Sequence, residues 1–259
     1  MADTKLDILA IAAHPDDIEI TCGGLLIKMV KRGKAVGAVD LTKGEAGTHG
    51  TADDRLAELA DAAKIMGFAY RSNLGMEDSA LEYNQANKLK IASVIRQTKP
   101  EIVILPHWEQ RHPDHLACSR LGYDACFLAG LKKLPIEGEV HRPRKILYAS
   151  YFRNTDYSFM VDISEEFEQK CRAVGAYQSQ FGQGTGEAVK NALKGALNLY
   201  DLFSSGGKNI FAPGLNIYEL MHTRARQLGQ LVGVQYAEAY TIKEQILIDD
   251  PLAMPVRSV

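Results

Sequence analysis

The 259-residue chain has only four cysteines, and Cys22, Cys118, Cys126 and Cys171 form no CxxC pair and no disulfide-framework spacing. Cys118 and Cys126 fall on one helix face and read as core. No apolar run approaches the roughly 20 residues needed to cross a bilayer. The start, Met1-Ala2-Asp3-Thr4-Lys5, lacks the regions of a signal peptide. Net charge is nearly absent: 30 Lys and Arg against 32 Asp and Glu leave −2, so nothing favours nucleic acid or an anionic membrane as partner. There is no internal repeat, no low-complexity tract and no linker. These absences predict a cytoplasmic, reduced protein. With 46% hydrophobic and 24% charged residues, the chain can bury a substantial core, and we read 1–259 as a single domain.

What is present alternates. Leu6–Ala13 reads as a strand without polar alternation, hence a central parallel strand covered on both faces. Gly23-Gly24 is expected to open a helix to about Arg32. Ala35–Leu41 is a second strand, followed by a polar, Gly-rich stretch, Thr42–Thr51, expected to line a site. A helix from about Ala52 to Met66, a strand over Ala69–Leu74, a helix over Gln85–Thr98 and a strand over Glu101–Pro106 follow. A helix from about Leu116 to Leu128 comes next, then strands over Lys145–Tyr151 and Phe159–Ile163. Ser164-Glu165-Glu166 is expected to cap a helix to about Tyr177. From Gln178 to Leu215 glycines weaken the pattern, with a helix over Ala188–Phe203, and a last helix covers Tyr218–Val232. This order predicts an α/β protein: a Rossmann-like, doubly wound, mostly parallel sheet in three α/β/α layers, with a smaller C-terminal portion.

Two clusters stand at carboxyl ends of apolar strands, where such sheets place their sites. The first is His14-Pro15-Asp16-Asp17, after Leu6–Ala13; the second is Arg111-His112-Pro113-Asp114-His115, after Ile102–Leu105. Alone, each is more often a turn with an Asx cap. Together they point to a metal, because two histidines and a carboxylate form a hydrolytic zinc set with one position left open. His14 and Asp17 are close enough to hold one ion, with His115 from the neighbouring strand end. Asp16 diverges from Asp17 and is free to act as general base on a water whose pKa the ion lowers to around 7. His112 is placed to protonate a leaving amine or to stabilise an oxyanion. The same ligand set also suits Fe2+. A nucleotide-dependent oxidoreductase is disfavoured, since the first strand leads into an acidic turn and not into G-x-G-x-x-G. A non-catalytic, metal-dependent sugar-binding module leaves Asp16 without a duty.

These residues resemble the LmbE-like, or PIG-L-like, family of zinc-dependent de-N-acetylases. Ala13-His14-Pro15-Asp16-Asp17 is similar to the family's first motif and His112-Pro113-Asp114-His115 to its second. Asp40-Leu41-Thr42, Asn73-Leu74-Gly75-Met76, Gln110–His115, Asp162-Ile163-Ser164 and Tyr177-Gln178-Ser179-Gln180-Phe181 look like the bacillithiol-biosynthesis branch, which removes acetate from N-acetylglucosaminyl malate. The resemblance implies Zn2+ on His14, Asp17 and His115, Asp16 as base, and His112 as acid or oxyanion partner. It further implies substrate binding by Arg55, Asp78 and Arg142, and a homo-oligomer such as a hexamer. The alternative substrate is another N-acetylated amino sugar, such as N-acetylglucosamine or a chitooligosaccharide. Residues 182–211 depart from the family as an insertion, expected to form a lid or an oligomer contact. It obscures which tyrosine would polarise the carbonyl; Tyr218 is the nearest candidate.

Overall fold

The computed structural model describes residues 5–150, 154–181, 217–250 and 252. The helix expected over Ala188–Phe203 and the insertion at 182–211 lie outside the described residues. The described chain runs β1 (Ile8–Ala12), α1 (Asp17–Lys31), β2 (Val36–Thr42), α2 (Ala52–Met66), β3 (Tyr70–Met76), α3 (Gln85–Thr98), β4 (Ile102–Pro106) and α4 (Pro113–Leu128). It continues through β5 (Lys145–Ala149), β6 (Phe159–Asp162), α5 (Phe167–Gly175), α6 (Gln178–Phe181), α7 (Ile217–Val232) and β7 (Ala237–Thr241).

The seven strands form one sheet in the order β3-β2-β1-β4-β5-β7-β6. From β3 to β5 all pairings are parallel, whereas β7 pairs antiparallel with both β5 and β6. Every residue of β1 and β2 is buried, as the non-alternating sequence requires of strands covered on both faces. On one face Leu9, Ile11, Val39, Val103 and Leu105 pack against Ile91 and Ile95 of α3 and Cys118, Leu121 and Cys126 of α4. On the other, Ile8, Ala10, Ala12, Val36, Ala38 and Ile104 pack against Ile18, Cys22, Leu25 and Leu26 of α1, Met66 of α2 and Ala173 of α5. This is the α/β doubly wound architecture expected. All four cysteines are free and buried.

Four details differ from the sequence reading, each for a packing reason. Helix α1 begins at Asp17, six residues before the Gly pair. Gly24 sits inside the helix because a Cβ there would stand 2.7 Å from the Ile163 side chain. Helix α4 begins at Pro113, a favoured first-turn residue, so Asp114 and His115 are helical. Helix α5 begins at Phe167 without a side-chain cap, because Ser164 Oγ donates instead to Asp162. Tyr236–Tyr240, left without a secondary structure by pattern, contributes to the inserted antiparallel strand β7, whose partners β5 and β6 are remote in sequence.

The order β3-β2-β1-β4-β5 reverses direction between β1 and β4. Ligands of open α/β sheets bind outside the strand ends at such a switch point. His14 lies just beyond β1, and His112 and His115 just beyond β4.

Candidate active site

Thr42 of β2 fixes the exit of β1, its backbone N–H and its hydroxyl both donating to the carbonyl of Ala13, at 2.9 and 3.0 Å. The next residues turn sharply. Asp16 has φ 98° and ψ −31°, a backbone state costing a non-glycine residue on the order of 1–3 kcal/mol. That turn drops Asp17 into the first position of α1 and sends its carboxylate back toward His14, whose backbone N–H donates to Asp17 Oδ2 at 3.0 Å.

Three donor atoms converge there. His14 Nδ1 is 3.2 Å from Asp17 Oδ2, His115 Nε2 is 3.1 Å from the same oxygen, and the two imidazole nitrogens are 3.3 Å apart. Ligands about 2.0–2.1 Å from a tetrahedral zinc are about 3.3 Å from one another. The residues therefore fit such an ion. His112 borders the same point, its ring centroid 4.8 Å from that of His14 and 5.0 Å from that of His115.

The charge balance agrees with the spacing. Burial alone would depress the His14 imidazole, but bonding to Asp114, Asp17 and Asp78 overrides it and pushes His14 up to about 12. Burial would raise Asp17, yet His115 and His14 hold it well below the usual carboxylate range. The carboxylates thus call for positive charge at this point, from a proton on His14 or from a cation.

On its far side, His14 Nε2 meets Asp78 Oδ1 at 3.1 Å and Asp114 Oδ2 at 3.3 Å. Both carboxylates are held by backbone amides: Ala46 N–H donates to Asp78 at 2.8 Å, and Ser79 N–H to Asp114 at 2.7 Å. Carboxylates behind a ligating imidazole fix its tautomer and orientation. Asp78 thus sits behind His14, and Asp114, to which the sequence attached no role, sits beside it. Its place between His112 and His115 was the available signal.

Arg55 is buried, 5% exposed. Its guanidinium donates to Asp16 Oδ2 at 3.1 Å, to the carbonyl of Pro15 at 3.1 Å and to that of Gly44 at 2.8 Å. The Gly-rich stretch after β2 is thereby drawn to the site, and a Cβ on Gly44 would collide with the guanidinium. Burial raises Asp16 well above the usual carboxylate range, with Arg55 opposing and Asp17 adding to it. His112 is the N-cap of α4 and its Nδ1 accepts from Asp114 N–H at 3.2 Å. A neutral His112 therefore carries its proton on Nε2. Burial, with His14 and His115 nearby, lowers its pKa and favours that neutral form.

Arg142, and Tyr218 as the nearest candidate for the carbonyl-polarising tyrosine, have other surroundings. Arg142 lies over the ring of Phe127 at 4.4 Å, near the far end of α4, where Phe127 is about 18 Å along the helix from His115 at 1.5 Å per residue. Tyr218 is fully buried against α5, and its hydroxyl has no hydrogen-bond partner among the described residues.

A third group, in which the sequence marked only Asp40 and Tyr177 as parts of family-like segments, involves the first turn of α1. Arg71 of β3 donates to Glu19 Oε1 at 3.0 Å, to Asp40 Oδ2 at 2.7 Å and to the Tyr177 hydroxyl at 3.4 Å. Burial pushes Asp40 up to about 7, with Arg71 opposing and Glu19 and Asp17 adding.

Comparison with known proteins supplies the family. Residues 9–126 match the family described as PIG-L: GlcNAc-PI de-N-acetylase. The chain is 31% identical over 227 residues to diacetylchitobiose deacetylase of Thermococcus kodakarensis, covering 82% of this chain and 85% of that one. It is 26% identical over 192 residues to the probable N-acetyl-alpha-D-glucosaminyl L-malate deacetylase 2 of Bacillus cereus, covering 67% and 83%. The crystal structure of the conserved protein TT1542 from Thermus thermophilus superposes with a TM-score of 0.78 at 35% identity, covering 96% of this chain and 99% of that one. With its motifs at the switch point and this breadth of similarity, the chain belongs to the PIG-L family of de-N-acetylases.

Proposed function

We propose that the protein is a metal-dependent N-deacetylase that releases acetate from an N-acetylglucosaminyl conjugate. The observation that carries this reading is the triangle of His14, Asp17 and His115 donor atoms, 3.1–3.3 Å on each edge, beside an Asp16 held by Arg55. His14, Asp17 and His115 hold the ion, Zn2+ or, with the same donors, Fe2+. When bound, that ion supplies Lewis acidity for the amide carbonyl and for a water. Asp16 takes the proton from the attacking water as the new C–O bond forms. Its raised affinity for protons suits that role and the next, in which it returns the proton to the departing amine as the C–N bond breaks. His112 donates from Nε2 to the oxyanion, since its Nδ1 is occupied by the Asp114 amide. Arg55 orients Asp16 from a buried position, Asp78 and Asp114 orient His14, and acetate and the free amino sugar leave.

Two conjugates are carried by specific observations. The segments Gln110–His115 and Tyr177–Phe181 support N-acetylglucosaminyl malate, a substrate of bacillithiol biosynthesis. The greater identity to the Thermococcus enzyme, 31% against 26%, supports diacetylchitobiose. Arg142 would contact the substrate only from a neighbouring copy in a homo-oligomer.

The test is amine release by zinc-loaded protein from both conjugates and from N-acetylglucosamine, with and without chelator. Chelator-sensitive release from either conjugate supports the reaction, and the preferred one names the substrate. Release insensitive to chelator overturns the metal-dependent reading. No release from any of the three overturns the substrate class.

A further inference from the structure

Helix α1 is held at its start differently from α2, α3 and α4. Helix α2 has a full capping box between Thr51 and Asp54, α3 is capped by Asn84, and α4 by His112. The residue before α1, Asp16, makes no side-chain cap, and its φ of 98° is strained. An uncapped helix start on a strained residue persists only where its surroundings hold it. Yet this turn carries Asp17 and the Asp16 carboxylate, whose placement decides whether the donors meet.

The anchor is on β3. Glu19, two residues after Asp17, is completely buried and its Oε1 receives Arg71 at 3.0 Å. The same guanidinium grips the completely buried Asp40 of β2 at 2.7 Å. One planar fork thus ties the first turn of α1 to two neighbouring strands, β2 and β3, a geometry that lysine's single ammonium cannot reproduce. The group is not optimised as an ion pair for its own sake. Among the described residues, Glu19 Oε2, Asp40 Oδ1 and Arg71 Nε are buried without hydrogen-bond partners.

We propose that Arg71 is a positioning residue for the metal-holding turn: with Glu19 and Asp40 it fixes the start of α1 so that Asp17 meets His14 and His115. The proposal rests on the reading of those three residues as metal ligands. The cluster touches neither substrate nor metal, so its effect is read first in metal affinity and then in kcat, with KM little changed.

The decisive variants are Arg71→Lys and the neutral trio Glu19→Gln/Arg71→Met/Asp40→Asn, studied as the full chain. Zinc affinity is measured by competition with a chromogenic chelator, and folding by circular dichroism and thermal melting. Replacing a buried ionic group by neutral residues of similar size often leaves stability unchanged or higher. The trio is therefore expected to melt near the wild type while its zinc dissociation constant rises about tenfold or more, as on loss of outer-shell partners. Arg71→Lys is expected to show a smaller rise in the same direction. A folded trio with wild-type zinc affinity overturns the proposal, leaving Arg71 a purely structural residue. Should the trio fail to fold, Arg71→Lys decides by the same readout. A wild-type chain that binds no zinc overturns the ligand assignment itself, so the two failures are distinguishable.

Discussion

Two groups of buried charge lie on the same face of this sheet and are built in opposite ways. In the first, Glu238 of β7 accepts from the N–H of Gly24 and Leu25 at 2.8 Å each, from the Tyr240 hydroxyl at 2.7 Å and from Lys170 Nζ at 2.6 Å. One carboxylate meets one cation, and both its oxygens are used. In the second, Asp16 pairs with Arg55 while Glu19 and Asp40 share Arg71, and Glu19 Oε2, Asp40 Oδ1 and both arginine Nε atoms lack hydrogen-bond partners among the described residues. Buried polar groups are normally satisfied, and exceptions mark places built for something other than stability. The first group locks β7 and α5 onto α1. The second leaves buried polar atoms unsatisfied within electrostatic reach of Asp17.

That contrast can be broken from either side. The largest effect is expected for His115→Ala, which removes one corner of the donor triangle: bound zinc, measured by elemental analysis, and activity should both be lost. Asp16→Asn should keep zinc while turnover falls by about 10²–10⁴, the usual contribution of a general base; full activity in this variant would show that another group takes the proton. Lys170→Met acts on the balanced group. It leaves the Glu238 carboxylate buried without its cation, at a cost of about 3–5 kcal/mol in urea unfolding, and zinc stoichiometry should not change. A loss of zinc there would mean that the two groups are coupled through α1. The smallest effect is expected for Gly44→Ala. Its φ of +68° costs a side chain on the order of 1 kcal/mol, and displacement of Arg55 should lower kcat several-fold with zinc content unchanged.

Much of this is readable along the chain because local pattern and final position coincide. Leu6–Ala13 is apolar throughout because β1 is covered on both faces, and the strand and helix expected over Glu101–Leu128 nearly coincide with β4 and α4. The candidate ligands are readable for the same reason: His14, Asp17 and His115 sit in short motifs that follow those strands. Pattern misleads where a distant contact overrides local preference. Gly23-Gly24 looks like a helix opening, yet it lies within α1 because Ile163 needs the space. Asp78 and Arg55 carry substrate-binding expectations only through the family resemblance, and the structure adds contacts to His14 and Asp16 that no local pattern announces. Among the described residues, no helix is long and apolar enough to cross a membrane.

The sequence by itself determined the strand–helix alternation, the burial of the central strands and the two His/Asp motifs, because each depends on neighbours within a few residues. Only the tertiary structure decided the partners of the charges. Arg71 finds Glu19 and Asp40 across 52 and 31 residues, and Lys170 finds Glu238 across 68. No local pattern encodes those pairings, since they arise from the order in which parallel strands assemble and from the face on which each helix returns.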